Sequence, residues 1–368
     1  IDAATLLRLT IVYHLAKGLR EKGKNVGFLL DRPALEALND KGSEKAKVGN
    51  LIATKVLPKD FREVVKDVPF VAQMEETRGK RGIIPREGKM AEYDVYSATR
   101  RDDFTVREAI ELGATMIKSN VFFYCGPELG VFETAFNERQ WQFIEKLAKE
   151  CRENNIGYVS ELLFMVPVSK KAEEKEYTQT KEYMDAHAKA TIEAAKRMKG
   201  IEGITLQKLA YPYPGEAGMT VFSEQERQAK LQELSEIVPG RWLILSAGEG
   251  WETFHKKVLE ATRYGRVTGM LVGRSPIKGI TQKVTDSKDK QVDAIKPHDE
   301  VAKVLQSEAV EKELTLLGYI DKAPASVWQG LGFSNDVVLK MQSVRKELRA
   351  ALEKPLQKAT AKPIQANT

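Results

Sequence analysis

Histidine and cysteine are both scarce in this chain. The four histidines, His14, His187, His255 and His298, lie far apart, with no His-x-His or His-Glu-x-x-His spacing. No metal centre and no metal-dependent mechanism is expected from them. The two cysteines, Cys125 and Cys151, show no paired spacing, which argues against a disulfide framework or a zinc cluster and makes a reducing compartment the default. Long apolar runs are missing as well. The longest, such as Val26 to Leu30, are strand-sized and fall well short of the ~20 residues a membrane-spanning helix needs. The chain therefore reads as soluble and intracellular. With Ile1 in first place it reads as processed or trimmed, so cytoplasm and organelle matrix are not distinguished. Single-signed charge blocks are also lacking: 58 Lys+Arg are interleaved with 52 Asp+Glu for a net +6. That dispersal, without any nucleic-acid motif, argues against a nucleic-acid partner, and a membrane partner is not expected either.

What is present is a regular alternation. Apolar runs of strand length occur at 26–30, 68–73, 114–123, 157–164, 203–210, 241–246 and 268–273, separated by charged amphipathic stretches such as Glu138 to Asn154, Thr180 to Met198 and Trp251 to Tyr264. Continuous apolar strands alternating with helices predict a parallel sheet covered on both faces. At 368 residues, 42% hydrophobic and 30% charged, one barrel of roughly 250 residues with extensions fits better than two domains. The expected fold is α/β, a TIM (β/α)₈-type barrel. Seven strands are counted where eight are needed: either the first strand is absent from this chain, or the barrel is open or closed by another segment. The expected division is a barrel over 1–280, a C-terminal helical extension over 281–353 and a flexible tail over 354–368. The stretch 74–98, with Arg78-Gly79-Lys80-Arg81-Gly82, reads as a mobile basic loop.

In a parallel barrel chemistry sits at the C-terminal strand ends. Lys208 lies near the end of Ile204-Thr205-Leu206-Gln207-Lys208-Leu209, and Lys118 lies within Thr115-Met116-Ile117-Lys118-Ser119-Asn120. Burial and a cationic neighbour both depress a lysine pKa toward a nucleophilic amine. Taken singly, Lys208 reads first as a snorkelling lysine at a strand end or a structural ion pair. Glu161, in Tyr158-Val159-Ser160-Glu161-Leu162, falls between them, where a carboxyl can shuttle protons; alone it reads as a salt-bridge partner. The last two strands end in Leu245-Ser246-Ala247-Gly248 and Leu271-Val272-Gly273-Arg274. Small residues there let backbone N–H groups approach an anion, and loops after strands seven and eight commonly hold phosphate.

At these residues the sequence resembles the class I tagatose-bisphosphate aldolases and the related sulfofructose-phosphate aldolases. The likeness rests on Trp242 to Gly248, Gly269 to Arg274, Tyr96 to Arg100 with Glu111 to Lys118, the Glu161 strand and Leu206-Gln207-Lys208, and spans about residues 20–280. It implies a Schiff-base TIM-barrel aldolase with no cofactor, acting on a phosphorylated sugar and releasing dihydroxyacetone phosphate. Lys208 would form the imine, Lys118 would neighbour it, and Glu161 would move protons. Ser246, Gly248, Gly273 and Arg274 would hold phosphate. The family's opening Asp-Gln-Arg strand has no counterpart before the first helix, and a family glutamate two positions after the imine lysine is Ala210 here. Glu75-Glu76-Thr77-Arg78 corresponds loosely to the family's Glu-Lys-Thr-Gly. Substrate choice is expected to differ accordingly. The alternative is a catalytically degenerate barrel acting as a structural or regulatory subunit; a homo-oligomer or larger protein assembly fits either reading.

Overall fold

The computed structural model describes residues 3–23, 27–38, 58–66, 68–86, 89–100, 104–239, 241–246, 249–267, 269–271, 281–285, 291–295 and the single positions 305, 309, 311, 312 and 315. The elements in chain order are α1 (Ala3–Glu21), β1 (Phe28–Leu30), α2 (Arg32–Leu38), α3 (Phe61–Val65), β2 (Phe70–Gln73), β3 (Glu75–Arg86), β4 (Lys89–Arg100), α4 (Val106–Glu111) and β5 (Ala114–Tyr124). Then follow α5 (Val131–Glu153), β6 (Gly157–Met165), α6 (Glu174–Tyr177), α7 (Lys181–Lys199), β7 (Ile204–Leu209), α8 (Ala217–Val221), α9 (Glu224–Ile237), β8 (Trp242–Leu245), α10 (Trp251–Tyr264), β9 (Gly269–Leu271), β10 (Thr281–Thr285) and β11 (Gln291–Ile295).

All seven apolar runs become strands of one sheet, in the order β1-β2-β5-β6-β7-β8-β9. Every neighbouring pair is parallel. Strands laid side by side in chain order, each joined to the next through at least one helix, follow the progression of a (β/α)₈ barrel. Among the described residues β1 and β9 each pair on one side only.

Helix faces are read from spacing. On α5 the buried set Phe136, Gln140, Trp141, Ile144, Leu147, Ala148 and Cys151 recurs every three to four residues, one face of a 3.6-residue period. α7 starts on Thr180, whose hydroxyl accepts from the Tyr183 amide, and carries Lys196, Arg197 and Lys199 in its last turn, complementing the helix dipole. Ser223 and Glu226 close a capping box at the start of α9, as Thr105 and Glu108 do for α4. Gly203 enters β7 at φ +100°, and a Cβ there would stand 2.3 Å from the Ala148 carbonyl oxygen, so only glycine lets β7 approach α5 this closely.

The stretch 74–98 corrects the expectation of a basic loop. It forms most of an antiparallel hairpin, β3 with β4, paired continuously from Glu75↔Arg100 to Arg86↔Lys89. Thr77, Ile83, Ile84, Tyr93, Val95 and Tyr96 supply strand-forming residue types, and the ladder satisfies backbone groups that a loop would leave to water. Gln140 of α5 anchors the hairpin's base, accepting from the Ala98 amide at 3.1 Å and donating to its carbonyl at 3.3 Å. A second hairpin, β10 with β11, occupies part of the segment expected to be helical; Val284 stands opposite Val292, and Val292 and Ala294 alternate with Gln291 and Asp293 at strand spacing. The rest of that extension, apart from five single positions, and the expected tail lie outside the described residues. Among the described residues no helix is long and apolar enough to cross a membrane.

Candidate active site

Two-residue alternation sorts each central strand into a face against the helices and a face toward the barrel interior. Ile117, Val121, Tyr158, Leu162, Leu209 and Ile244 join the large core under the helices. On the opposite face Val159, Leu206 and Leu243 are buried together with Met116 packed on them, forming an apolar floor within the barrel. One step up the same face stand Lys118 on β5, Glu161 on β6 and Lys208 on β7. Register fixes their levels: Glu161 pairs with Asn120 on one side and Lys208 on the other, and Lys118 lies two residues before Asn120.

The three side chains converge. Lys118 Nζ lies 2.5 Å from Glu161 Oε2, and Lys208 Nζ lies 2.8 Å from Glu161 Oε1. All three residues are at most 7% exposed. Lys118 also donates to the side-chain oxygen of Asn120. Burial lowers the Lys208 pKa to about 8; Glu161 works against that and Lys118 works with it. Burial on its own would raise the Glu161 carboxyl, but the two ammonium groups outweigh it and hold Glu161 below the usual carboxylate range. The layer therefore holds an ionised carboxylate shared by two amines, one of which sheds its proton near neutral pH.

Sequence reasoning did not count Glu75 among the site residues. It is the first residue of β3, separated from β2 by Met74 alone, and is 2% exposed. Gln73 donates to its Oε1 at 2.7 Å, while its Oε2 has no hydrogen-bond partner among the described residues. Burial pushes its pKa up to about 7, partly offset by the charge of Lys118. The signal was present in the Glu75-Glu76-Thr77-Arg78 stretch, but burial of one of two adjacent glutamates depends on where β2 hands the chain to the hairpin.

Of the expected phosphate-binding residues, Ser246 is buried at the end of β8, beside the β7 strand that bears Lys208. Gly248, Gly273 and Arg274 lie outside the described residues. The chain just beyond Ser246 is tied back: the Glu249 amide donates to the Ser246 carbonyl at 2.9 Å, and Glu249 Oε1 accepts from the Gly215 amide at 2.9 Å. The buried Lys257 of α10 reaches the same Oε1 at 2.6 Å and the Gly215 carbonyl at 2.9 Å. The loops after β7 and β8 are thereby held together. Among the described residues no group of three or more His, Cys, Asp or Glu is arranged to hold a metal ion.

The family model described as DeoC/LacD family aldolase matches residues 34–278. A tagatose 1,6-diphosphate aldolase of Listeria monocytogenes is 27% identical over 177 residues, covering 45% of this chain and 50% of that protein. One from Listeria innocua is 28% identical over 182 residues with the same coverage. The chain spans about half the length of these curated relatives. Among solved structures, a fructose-bisphosphate aldolase from Plasmodium falciparum is 12% identical with a TM-score of 0.45, covering 87% of this chain and 96% of that one.

Proposed function

This chain belongs to the DeoC/LacD aldolase family, and from that premise we propose that it is a class I, imine-forming aldolase that needs no cofactor. Its substrate in this reading is a phosphorylated or sulfonated ketose, cleaved to dihydroxyacetone phosphate and an aldehyde. The observation that carries the reading is the buried contact of Lys118 and Lys208 with the two oxygens of Glu161. Three buried ionisable groups cost several kcal/mol in desolvation that apolar side chains would not, which a barrel without chemistry to perform has no need to retain.

The steps follow from the geometry. Lys208, the amine with the depressed pKa, adds to the ketone carbon, and loss of water gives the protonated imine. Glu161, ionised and in contact with Lys208, takes the proton from the hydroxyl beyond the bond to be broken. That bond opens, its electron pair passes into the imine as an enamine, and the aldehyde departs. Protonation of the enamine carbon and hydrolysis by water return dihydroxyacetone phosphate and the free amine. The Lys118 ammonium keeps Glu161 charged between steps. Ser246, Gly248, Gly273 and Arg274 would hold the phosphate and set the ketone over Lys208.

Glu75 supplies the second proton-transfer group in this scheme. With a pKa of about 7 it carries a proton to give below that pH, whereas Lys208 must lose one near pH 8. Turnover then follows a bell between these values. Glu75→Gln should remove the alkaline fall of the bell, leave a single rise through about 8, and lower kcat by about 10²-fold. An unchanged bell in that variant would remove Glu75 from the scheme.

The direct test is borohydride reduction in the presence of dihydroxyacetone phosphate, followed by peptide mass spectrometry. The expected product is a reduced adduct on the peptide containing Lys208. A folded protein without an adduct on any lysine would defeat the aldolase reading in favour of the subunit one.

A further inference from the structure

We infer that the aldehyde half of the substrate is an alkyl chain with few or no hydroxyl groups, received on an apolar wall over β5 and β6. The inference rests on the imine reading above and concerns the specificity of the same site. Along the sheet, Ser246 ends β8, Lys208 stands on β7 and Glu161 on β6. A ketose phosphate with its phosphate toward β8 and its ketone on Lys208 presents the bond to be broken at Glu161. The carbons beyond that bond then continue away from β8, across β6 toward β5.

Among the described residues the side chains on that path are apolar. Phe122 of β5 and Leu163 of β6 pair in register two residues beyond Asn120 and Glu161, on the interior face by alternation. Both are only partly buried. At the corresponding position after Lys208 stands Ala210. Phe122 packs in turn on the buried cluster of Tyr124, Phe136 and Met165. That cluster reaches the surface at Phe132, whose ring lies 6.0 Å from Tyr124 and which is 47% exposed, next to Val131 at 89%. Exposed large hydrophobics are few among the described residues, and two of the three are these neighbours at the start of α5. Asn120, the polar residue nearest this path on β5, is already engaged by Lys118. Hydroxyl groups on the departing carbons would exchange water for Phe122, Leu163 and Ala210, whose side chains offer no donor or acceptor in return.

The condensation direction tests this cleanly. The enamine carbon derived from dihydroxyacetone phosphate attacks the acceptor carbonyl, whose oxygen takes up a proton, and hydrolysis of the imine releases the ketose. Propanal and glyceraldehyde, and butanal and erythrose, are acceptor pairs of equal carbon count differing in their hydroxyl groups. The expected kcat/KM favours the alkyl member of each pair by about ten- to a hundredfold, the range a hydrophobic pocket achieves against added hydroxyls. Leu163→Asn should erase that preference while still giving the borohydride-trapped adduct, which shows that the variant is folded; Phe122→Leu, which keeps the wall apolar, should retain it. A trapped adduct on Lys208 together with a preference for glyceraldehyde, its 3-phosphate or erythrose would overturn the inference and leave the imine reading standing. An alkyl preference that survives Leu163→Asn would overturn it too. Absence of any adduct in the parent protein would remove both.

Discussion

Lys208→Met should abolish the trapped adduct, cut turnover by on the order of 10⁵-fold, and leave the protein more stable at pH 7 than its parent. The loss follows from the amine being the nucleophile. The gain follows from the cost of burying it: the folded pKa of Lys208 is about 8, against 10.5 for an unperturbed lysine. At neutral pH, below both values, this difference opposes folding by about 3 kcal/mol. Glu161 keeps Lys118 as a partner in the variant, and methionine fills the space of a lysine stem above the apolar floor of Val159, Leu206 and Leu243. Between pH 8 and 10.5 the unfolded chain binds more protons at this site than the folded one, so parental stability rises with pH across that window. The variant lacks that slope. Urea unfolding of both proteins at pH 7 and pH 10 measures it: the stability gap should be widest at pH 7 and narrow at pH 10. A variant less stable than its parent at pH 7 would mean that Lys208 is a structural ion-pair partner rather than a strained nucleophile.

Glu161→Gln should separate two properties that normally move together. Without the carboxylate, Lys118 and Lys208 remain as buried cations with an amide between them. Breaking a buried pair from one side costs about 3–5 kcal/mol, so the unfolding midpoint should fall markedly. The charge that held the Lys208 pKa up is also gone, and that pKa should move further below about 8. Adduct formation with dihydroxyacetone phosphate, limited by free amine, should then reach half its maximal rate at lower pH than in the parent. Turnover, which needs a base for the departing hydroxyl proton, should fall by about 10²- to 10⁴-fold. Lys118→Met should move the Lys208 midpoint the other way, because a neighbouring positive charge is removed. Trapping rates measured across pH 6 to 10 in the three proteins decide the matter. A Glu161→Gln profile unchanged in midpoint would show that the carboxylate does not govern the amine.

The strand runs and the site residues differ in how far they were legible. All seven apolar runs were found at their strands within a few residues, because a strand buried on both faces must be apolar almost throughout. Helix α5 begins seven residues before its sequence-based start at Glu138, since Val131 and Phe132 do not belong to its buried face and blur the period. The hairpin of β3 and β4 was read as a loop because its glycines and basic residues resemble loop composition, whereas its ladder depends on pairing between residues up to 25 apart in sequence. Lys118, Glu161 and Lys208 were singled out as polar residues interrupting apolar strands. Glu75 was passed over since its burial depends on the turn from β2 into the hairpin.

Local chemistry was enough to determine the alternation of strands and helices, their parallel order and which polar residues interrupt the strands, because each depends on residue type and short-range period. The tertiary structure alone decided that two amines share one carboxylate in a single buried layer. It also decided that Glu75 is buried, which raises its pKa, and that Phe122 and Leu163 stand in register beyond Asn120 and Glu161. Register between strands forty or more residues apart sets which side chains meet, and the water excluded from the barrel interior sets their protonation.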